Sequence, residues 1–237
     1  MGQHAQFRNL VAALGAAALI CTASAPAAAQ EGPCRLALAF ALDVSASVDP
    51  GEYRLQIDGL AGALTDPAVR AAILGPATGI ALAAYEWSGR QQQVMIVDWT
   101  IVDSDAALDG FAAAVAGHKR QYGEFPTAVG YALGYGSNLL RRAPPCLRKV
   151  LDVSGDGLTN DGFGPVEAYR HFEFANVTVN GLVIGAGDLE LMSFYQKFVA
   201  HGPGAFVEVA ADYHDYARAM RRKLLREIGM DFVAEGR

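Results

Sequence analysis

A buried-strand pattern near the start of the chain ends abruptly in polar residues. Residues 36–42 are all apolar, and Asp43, Ser45 and Ser47 follow them at alternate positions. An apolar run of this kind is typical of a parallel strand that is covered on both faces of its sheet. Open α/β sheets bind ligands where their strands end, and oxygen atoms are the ligands that a Mg²⁺-sized ion prefers. The run therefore predicts a parallel sheet with a cation site at its edge.

The rest of the chain alternates apolar, β-rich runs with helical patterns, which predicts parallel strands joined by helical crossovers. The predicted strands are 35–43, 79–86, 93–101, 148–154, 177–184 and 205–209. Only a short stretch, residues 88–92, separates the second strand from the third, so these two are expected to form an antiparallel hairpin. One predicted helix begins at Asp49, and the others are 104–117, 127–142, 164–174, 188–200 and 212–228.

The first 29 residues have the pattern of a signal peptide. Arg8 is the positive start, residues 10–21 form an apolar core too short to span a membrane, and three alanines at 27–29 offer a cleavage site. An uncleaved anchor is the alternative. No later run has 18 uninterrupted apolar residues, so no membrane insertion is expected after cleavage. The pattern predicts a periplasmic or secreted protein with one domain over residues 30–237.

The charge balance disfavours nucleic acid and anionic membranes as partners. Without residues 1–29, which contain one Arg, the chain has 18 basic and 25 acidic residues, a net charge of −7. A surface of this sign repels phosphate groups. The remaining 208 residues suit a single α/β domain.

Two cysteines remain after the predicted cleavage. Cys34 lies nine residues before Asp43, and Cys146 lies ten residues before Asp156, so each begins a strand whose far end carries a polar residue. If these strands are parallel neighbours about 4.8 Å apart, the sulfurs meet at the sheet edge opposite the cation site. We expect a disulfide there, as exported proteins often have. The alternative is two unpaired buried thiols.

Two further segments are expected at the same sheet edge as Asp43. The stretch 123–127 precedes a predicted helix and places Thr127 at its start. The predicted strand 148–154 leads to Asp156, which lies between Gly155 and Gly157. Glycine permits close approach of the backbone to a bound ion. The three segments together offer two carboxylates and three hydroxyls.

This combination resembles the von Willebrand factor A (vWA) domain with its metal-ion-dependent adhesion site. The resemblance covers roughly residues 34–228 and is closest to exported bacterial proteins with this domain that have no known function. It implies a Rossmann-like three-layer sandwich: a mostly parallel six-stranded sheet with one antiparallel edge strand and helices on both faces. It also implies protein binding without catalysis. Carried over residue by residue, the metal site comprises Asp43, Ser45, Ser47, Thr127 and Asp156.

The chemistry of these five residues suits a cation that also binds an outside ligand. The hydroxyls are neutral ligands, and the two carboxylates act directly or through water. With few anionic ligands, a divalent cation stays electrophilic and accepts a partner's Asp or Glu. The resemblance indicates Mg²⁺, although such oxygen sites also accept Mn²⁺ and Ca²⁺. Each residue has a simpler alternative: Asp43 and Thr127 as helix or turn caps, the serines and Asp156 as turn residues.

Several polar residues fall outside this pattern. Asp152 departs from the family and is expected either to point into the sheet or to support the metal residues from behind. Asn160, Asp161 and Glu86 are candidates for the rim of the site, with turn formation as the alternative for the first two. The basic residues of the last helix indicate a solvated face or a docking patch for an acidic partner; they are Arg218, Arg221, Arg222, Lys223 and Arg226.

Three functions remain open at this point. The first is a binding module that holds an acidic side chain of a protein partner through a divalent cation. The second is a metal-dependent hydrolase of phosphate esters that uses the same cation as a Lewis acid. The hydrolase hypothesis lacks support, because the sequence shows no second metal cluster, no nucleophile paired with a base and no Gly-x-Ser-x-Gly motif. The third is a structural domain whose ion only rigidifies the loops.

Overall fold

The computed structural model describes Met1, residues 34–76 and residues 78–229. The predicted signal peptide therefore lies outside the described residues, apart from Met1. A six-stranded sheet has the order β3-β2-β1-β4-β5-β6, and only β3, at one edge, runs antiparallel to its neighbour. The strands are β1 (Cys34–Asp43), β2 (Ile80–Trp87), β3 (Gln93–Val102), β4 (Cys146–Gly155), β5 (Val177–Ile184) and β6 (Val207–Ala210).

Helices cover both faces of the sheet, so the predicted three-layer sandwich is confirmed. They are α1 (Pro50–Thr65), α2 (Pro67–Leu74), α3 (Asp105–Gly117), α4 (Val129–Arg141), α5 (Pro165–His171), α6 (Leu189–Phe194) and α7 (Tyr216–Gly229). A π-helical turn, Tyr195–Val199, continues α6, and a 3₁₀ turn, Tyr213–Asp215, precedes α7. One apolar core lies under α1, α2, α3 and α7, and the other lies under α4, α5 and α6.

The pattern of β1 explains how closely the helices approach the sheet. Its large residues face the α1 and α7 side, while Ala39 and Ala41 face the α4 side. Small residues on that face leave room for α4 and for its glycines. A Cβ added at Gly136 would overlap Leu151 and lie 2.8 Å from the Tyr85 hydroxyl oxygen. This close packing fixes the start of α4, and Thr127 with it, near the end of β1.

Helix α2 was not predicted from the sequence. Asp66 accepts hydrogen bonds from the backbone N–H groups of Ala68 and Val69, and Pro67 occupies the first turn. The same Asp-Pro signal, at Asp49 and Pro50, begins α1. The Asp66-Pro67 signal was overlooked because it directly follows the first helix without an intervening loop.

The predicted disulfide joins Cys34 and Cys146. These residues are register partners at the N-terminal ends of β1 and β4, opposite the end that carries Asp43, and their Cα atoms are 4.2 Å apart. The bond closes a loop with a sequence separation of 112 residues, which stabilises the fold by about 4 kcal/mol on the chain-entropy account.

The basic face predicted for the last helix needs a correction at Lys223. This side chain is fully buried, with its ammonium 2.8 Å from Asp152 Oδ2 and hydrogen-bonded to Glu227 Oε1. Asn180 Nδ2 donates to the same Glu227 oxygen at 2.7 Å. We call these four residues the buried ionic cluster. Asp152 thus points into the α7 side of the sheet, which is one of the two predicted alternatives.

The remaining basic residues of α7 have partners of their own. Arg218 pairs with Asp215, Arg221 with Asp66 and Arg222 with Glu208, and the Arg226 guanidinium lies 3.8 Å from the Phe206 ring centroid. A docking patch for an acidic partner would have to break these contacts. Among the described residues, no helix combines the length and the apolar character that a membrane span requires.

Candidate metal centre

Hydroxyl groups from two loops and a carboxylate from a third meet where β1 and β4 end. Thr127 Oγ1 donates to Ser45 Oγ at 3.1 Å, and the hydroxyl oxygens of Ser45 and Ser47 lie 3.2 Å apart. Ser47 Oγ donates to Asp156 Oδ1 at 2.7 Å. One hydrogen-bonded chain thus links four of the five predicted residues, although Ser47 and Asp156, which bond directly, lie 109 positions apart in the sequence.

Asp43 lies directly beneath this chain as the last residue of β1. It is fully buried, and its Oδ1 accepts a hydrogen bond from the backbone N–H of Ser45 at 2.8 Å. Its Oδ2 is buried without any hydrogen-bond partner among the described residues. Burial, followed by the negative charge of Asp156, raises the pKa of Asp43 to about 7. The carboxyl is therefore one that an added positive charge would strongly stabilise in its ionised form.

Arg120 holds the backbone of the loop between β1 and α1. Its guanidinium donates to the carbonyl oxygens of Val44, Ser45 and Val48 at 2.7–2.9 Å, and its Nε donates to the carbonyl of Tyr122. These contacts leave the guanidinium on the backbone and not on a carboxylate. Arg120 thus fixes the loop that carries the two serines, and its positive charge opposes the rise in the pKa of Asp43 without cancelling it.

Thr127 owes its place to the loop after β4. Its backbone N–H donates to Asn160 Oδ1 at 2.9 Å, and its carbonyl accepts from the Asn160 N–H at 2.9 Å. Helix α4 begins at Val129, its N-cap residue is Ala128, and no side chain caps it. The alternative of Thr127 as a simple N-cap is therefore wrong. Asn160, predicted for the rim, instead holds Thr127 in position.

The two glycines around Asp156 differ in what they permit. A Cβ at Gly155 would overlap the Tyr195 hydroxyl oxygen and lie 3.0 Å from Asp43 Oδ2. A Cβ at Gly157 would lie at an ordinary distance of 3.6 Å from Thr127 Oγ1. Neither glycine has a positive φ angle. Gly155 is therefore required for close packing and not for a tight turn.

The other two predicted rim residues differ: Glu86 lies away from the rim, whereas the backbone N–H of Asp161 donates to the Thr127 carbonyl at 3.3 Å. Glu86 is fully buried, and its carboxylate accepts from the Gln121 N–H at 2.8 Å and lies 3.2 Å from His118 Nε2. It supports the loop that carries Arg120 and is not on the rim. Asp161 forms an ion pair with Arg90 at 2.7 Å.

Sequence reasoning missed the residues that surround the five. Arg120, Tyr195 and Tyr213 belong to no motif, because their roles depend on contacts between distant segments. The Tyr195 hydroxyl is buried near Asp43 without a hydrogen-bond partner among the described residues, and the Tyr213 hydroxyl is buried beside Asp156.

The oxygen atoms gathered here fit a divalent cation. Among the described residues, no three His, Cys, Asp or Glu side chains are grouped in a way that would hold a metal ion. A cation at this edge would therefore depend on hydroxyl oxygens as well as carboxylates. The site offers three hydroxyls and two carboxylates, and one oxygen of the Asp43 carboxylate is buried without a partner among the described residues. These are the hard oxygen ligands that Mg²⁺, Mn²⁺ and Ca²⁺ prefer.

Comparison with known proteins places the chain in a family and a fold. A family described as "Protein of unknown function (DUF1194)" matches residues 33–232. Among curated proteins, no sequence relative matches this chain.

Similar solved structures include proximal thread matrix protein 1 (PTMP1) from the mussel byssus, with a zinc-occupied MIDAS motif. Its TM-score is 0.59 at 15% identity, over 84% of this chain and 49% of that chain. A von Willebrand factor type A protein from Catenulispora acidiphila has a TM-score of 0.58 at 16% identity, over 83% and 43%. The pilus adhesin SpaC from Lactobacillus rhamnosus GG has a TM-score of 0.59 at 11% identity, over 84% and 31%.

These identities support a shared fold and no more. The matched region spans less than half the length of each of the three proteins. The vWA-like fold expected from the sequence is confirmed by this likeness together with the sheet order.

Proposed function

This chain belongs to the protein family of unknown function DUF1194, and from that premise we propose that it is an exported vWA-like binding module. Through a divalent cation, it holds an acidic group of a protein partner. The observation that carries the proposal is the chain of three hydroxyls joined to Asp156 above the buried, unpartnered Oδ2 of Asp43. Oxygen atoms from three loops meet there, and no Lys, Arg or His side chain of the described residues forms an ion pair with them.

The five residues would contribute two kinds of oxygen ligand to the cation. Ser45, Ser47 and Thr127 would offer neutral hydroxyl oxygens, and Asp43 and Asp156 would offer negative charge, directly or through water. Bound with so few anionic ligands, the cation supplies an electrophilic position that a carboxylate of the partner fills. Mg²⁺ is the first candidate, and Mn²⁺ and Ca²⁺ suit the same oxygen atoms.

The similar structures support an adhesion-type role. One is a matrix protein with a zinc-occupied MIDAS motif, and another is a pilus adhesin. Both named roles are contacts with other molecules. The proposal brings to this chain only the class of function, namely a metal-dependent contact with a protein.

Export to the periplasm or beyond the cell is part of the proposal. The signal-peptide pattern over residues 1–29 supports it, as does the disulfide between Cys34 and Cys146. Disulfides persist in oxidising compartments and are rare in the cytosol.

A peptide array tests the proposed contact. Each peptide with one Asp or Glu is paired with a version that has Asn or Gln instead, and the purified protein is applied with Mg²⁺ or with chelator. We expect retention on acidic peptides only, and only with Mg²⁺, because the carboxylate of the peptide completes the coordination of the cation. Retention that survives the chelator, or that ignores the change from Glu to Gln, would contradict the proposal.

A hydroxyl-deleting variant with a neighbouring control sharpens this test. Thr127→Val removes the hydroxyl and keeps the shape, so metal-dependent retention should fall at least about tenfold. Thr159→Val removes a hydroxyl that donates to the Thr127 carbonyl and not into the site, so retention should stay close to wild type. Turnover of a phosphate ester that disappears in Thr127→Val would support a metal-dependent hydrolase instead.

A further inference from the structure

Tyr195 has a buried hydroxyl that makes no hydrogen bond with any described residue. It lies in the π-helical turn Tyr195–Val199, which continues α6. A buried hydroxyl without a hydrogen-bond partner destabilises the fold, so such groups are rare unless a function retains them. π-helical turns often occur at functional sites. The position of this hydroxyl therefore needs a physical reason.

Two glycines make room for the Tyr195 side chain across the sheet. A Cβ at Gly181, on β5, would lie 2.7 Å from Tyr195 Cδ1, and a Cβ at Gly155, on β4, would overlap the Tyr195 hydroxyl oxygen. The ring thus crosses β5 and ends at β4. Any larger residue at either position would push the hydroxyl away from the end of β1.

The hydroxyl ends beside the unpartnered oxygen of Asp43. The same Cβ position at Gly155 lies 3.0 Å from Asp43 Oδ2, so this oxygen and the Tyr195 hydroxyl border one small space. Both atoms are buried without hydrogen-bond partners among the described residues. One is a donor that lacks an acceptor, and the other is an acceptor that lacks a donor. They are close enough for a direct approach after a small side-chain shift, or for one water molecule to join them.

Electrostatics keep the hydroxyl a donor. Burial raises the pKa of Tyr195 well above its ordinary value, and the negative charges of Asp43, Asp156 and Asp152 raise it further. The phenol therefore keeps its proton throughout the pH range in which Asp43 changes charge.

We infer that Tyr195 is a positioning residue for the cation site. Its hydroxyl donates a hydrogen bond to Oδ2 of Asp43, directly or through one water molecule, in the cation-bound protein. This inference rests on the proposed function. Groups that hydrogen-bond to metal ligands fix the orientation of those ligands, and removing such a group typically lowers metal affinity about 10–100-fold.

Tyr195→Phe tests the inference by separating metal affinity from stability. We expect calorimetric titration of the full chain with Mn²⁺ to show an affinity about 10–100-fold below wild type. The thermal midpoint of the metal-free protein should stay unchanged or rise, because the variant removes a hydroxyl that has no partner. If Tyr195 were merely structural, the variant would keep the Mn²⁺ affinity of the wild type and lower the metal-free midpoint.

Tyr85→Phe is the matched control. Tyr85 is equally buried, but its hydroxyl donates to the Ala132 carbonyl at 2.7 Å. Its removal should lower the metal-free midpoint and leave the Mn²⁺ affinity unchanged.

The outcomes distinguish this inference from the proposed function. Wild-type affinity in Tyr195→Phe, or a metal-free midpoint that falls as it does in Tyr85→Phe, would overturn the role of Tyr195 alone. Absence of Mn²⁺ binding by the wild-type chain would overturn the cation site and this role together.

Discussion

Two carboxylates four residues apart on or just after β4 have opposite surroundings. Asp152 lies in the buried ionic cluster, where the Lys223 ammonium is 2.8 Å away and an amide from Asn180 completes the network at Glu227. Asp156 lies at the sheet edge beside Asp43, and its Oδ1 accepts from the hydroxyl of Ser47. The cluster contains its own cation. The candidate metal centre forms no ion pair within the part of the chain that the structure describes.

The difference teaches which buried carboxylates have a cation within the fold. Burial lowers the pKa of Lys223, but Asp152 and Glu227 outweigh burial and raise it, so the lysine stays charged. Burial raises the pKa of Asp152 to about 7, with Glu227 adding to the rise and Lys223 opposing it. Asp43 has a similar pKa, although no Lys, Arg or His among the residues that the structure describes forms an ion pair with it. We therefore read the cluster as structural and the sheet edge as a site that takes its cation from outside.

The largest effect is expected in the cluster. Lys223→Met removes the cation and leaves two carboxylates buried, so the free energy of unfolding should fall by about 3–5 kcal/mol. Chemical denaturation at neutral pH measures this. Arg218→Met is the control, because it breaks an ion pair whose arginine is largely exposed, and it should cost no more than about 1 kcal/mol. A loss below about 1 kcal/mol for Lys223→Met would remove the contrast between the two regions.

Asp43→Asn should have the opposite effect on stability. The amide keeps the acceptor for the Ser45 N–H and removes a charge that is costly to bury. At pH 8, the free energy of unfolding of the metal-free protein should stay level or rise, while Mg²⁺ affinity falls at least about 100-fold. Calorimetry and denaturation on the same samples measure both quantities. A loss of metal-free stability like that of Lys223→Met would make Asp43 structural.

A pair of glycine variants tests how tightly the sheet edge is built. Gly155→Ala places a methyl group against Tyr195 and Asp43, so Mn²⁺ affinity should fall at least about tenfold. Gly157→Ala places it at an ordinary distance from Thr127, so affinity should stay within about twofold of wild type. Equal effects of the two variants in calorimetric titration would mean that the close packing at Gly155 does not shape the site.

The pH dependence of cation binding follows from the pKa of Asp43. The pKa of Asp43 in the metal-free protein is about 7, and cation binding favours the ionised form. Mn²⁺ affinity should therefore be nearly constant above pH 8 and fall by at most about tenfold per unit below pH 7. Titrations from pH 5.5 to 8.5 measure this, and Asp43→Asn should abolish most of the dependence. A flat profile in the wild-type chain would contradict the raised pKa.

The same group affects the stability of the metal-free protein. Because the folded pKa of Asp43 is above its ordinary value of 3.8, the native state holds more protons than the unfolded state between these values. The contribution of Asp43 to stability is thus fully present below about pH 4 and is lost as the pH rises through 7. Asp43→Asn should remove this contribution from the stability profile of the metal-free protein.

The sequence was sufficient to predict what local patterns encode. The apolar run before Asp43 predicted a buried parallel strand, the short 88–92 gap predicted the antiparallel pair, and the spacing of Cys34 and Cys146 predicted their bond. The resemblance to vWA domains predicted that the five site residues lie together. The structure places four of them on one hydrogen-bonded chain next to Asp43.

Features that depend on contacts between distant segments could not be predicted. Lys223 lies in a run of basic residues that is typical of an exposed face, and only the register of α7 against β4 and β5 shows that it is buried. Arg120 holds the loop that carries the two serines, and the Tyr195 hydroxyl lies against Gly155 at the end of β4, so both positions depend on segments that are distant in the sequence. Their residue types carry no signal of these roles.

The central claim is that the sheet edge takes its cation from outside while the buried ionic cluster does not. The most direct measurement is anomalous diffraction at the manganese edge from crystals of the protein soaked in Mn²⁺. We expect one strong peak in contact with the hydroxyl oxygens of Ser45, Ser47 and Thr127, and none at Asp152. A strong peak elsewhere with none at this edge, or Asp43 and Asp156 turned away from each other, would contradict the account.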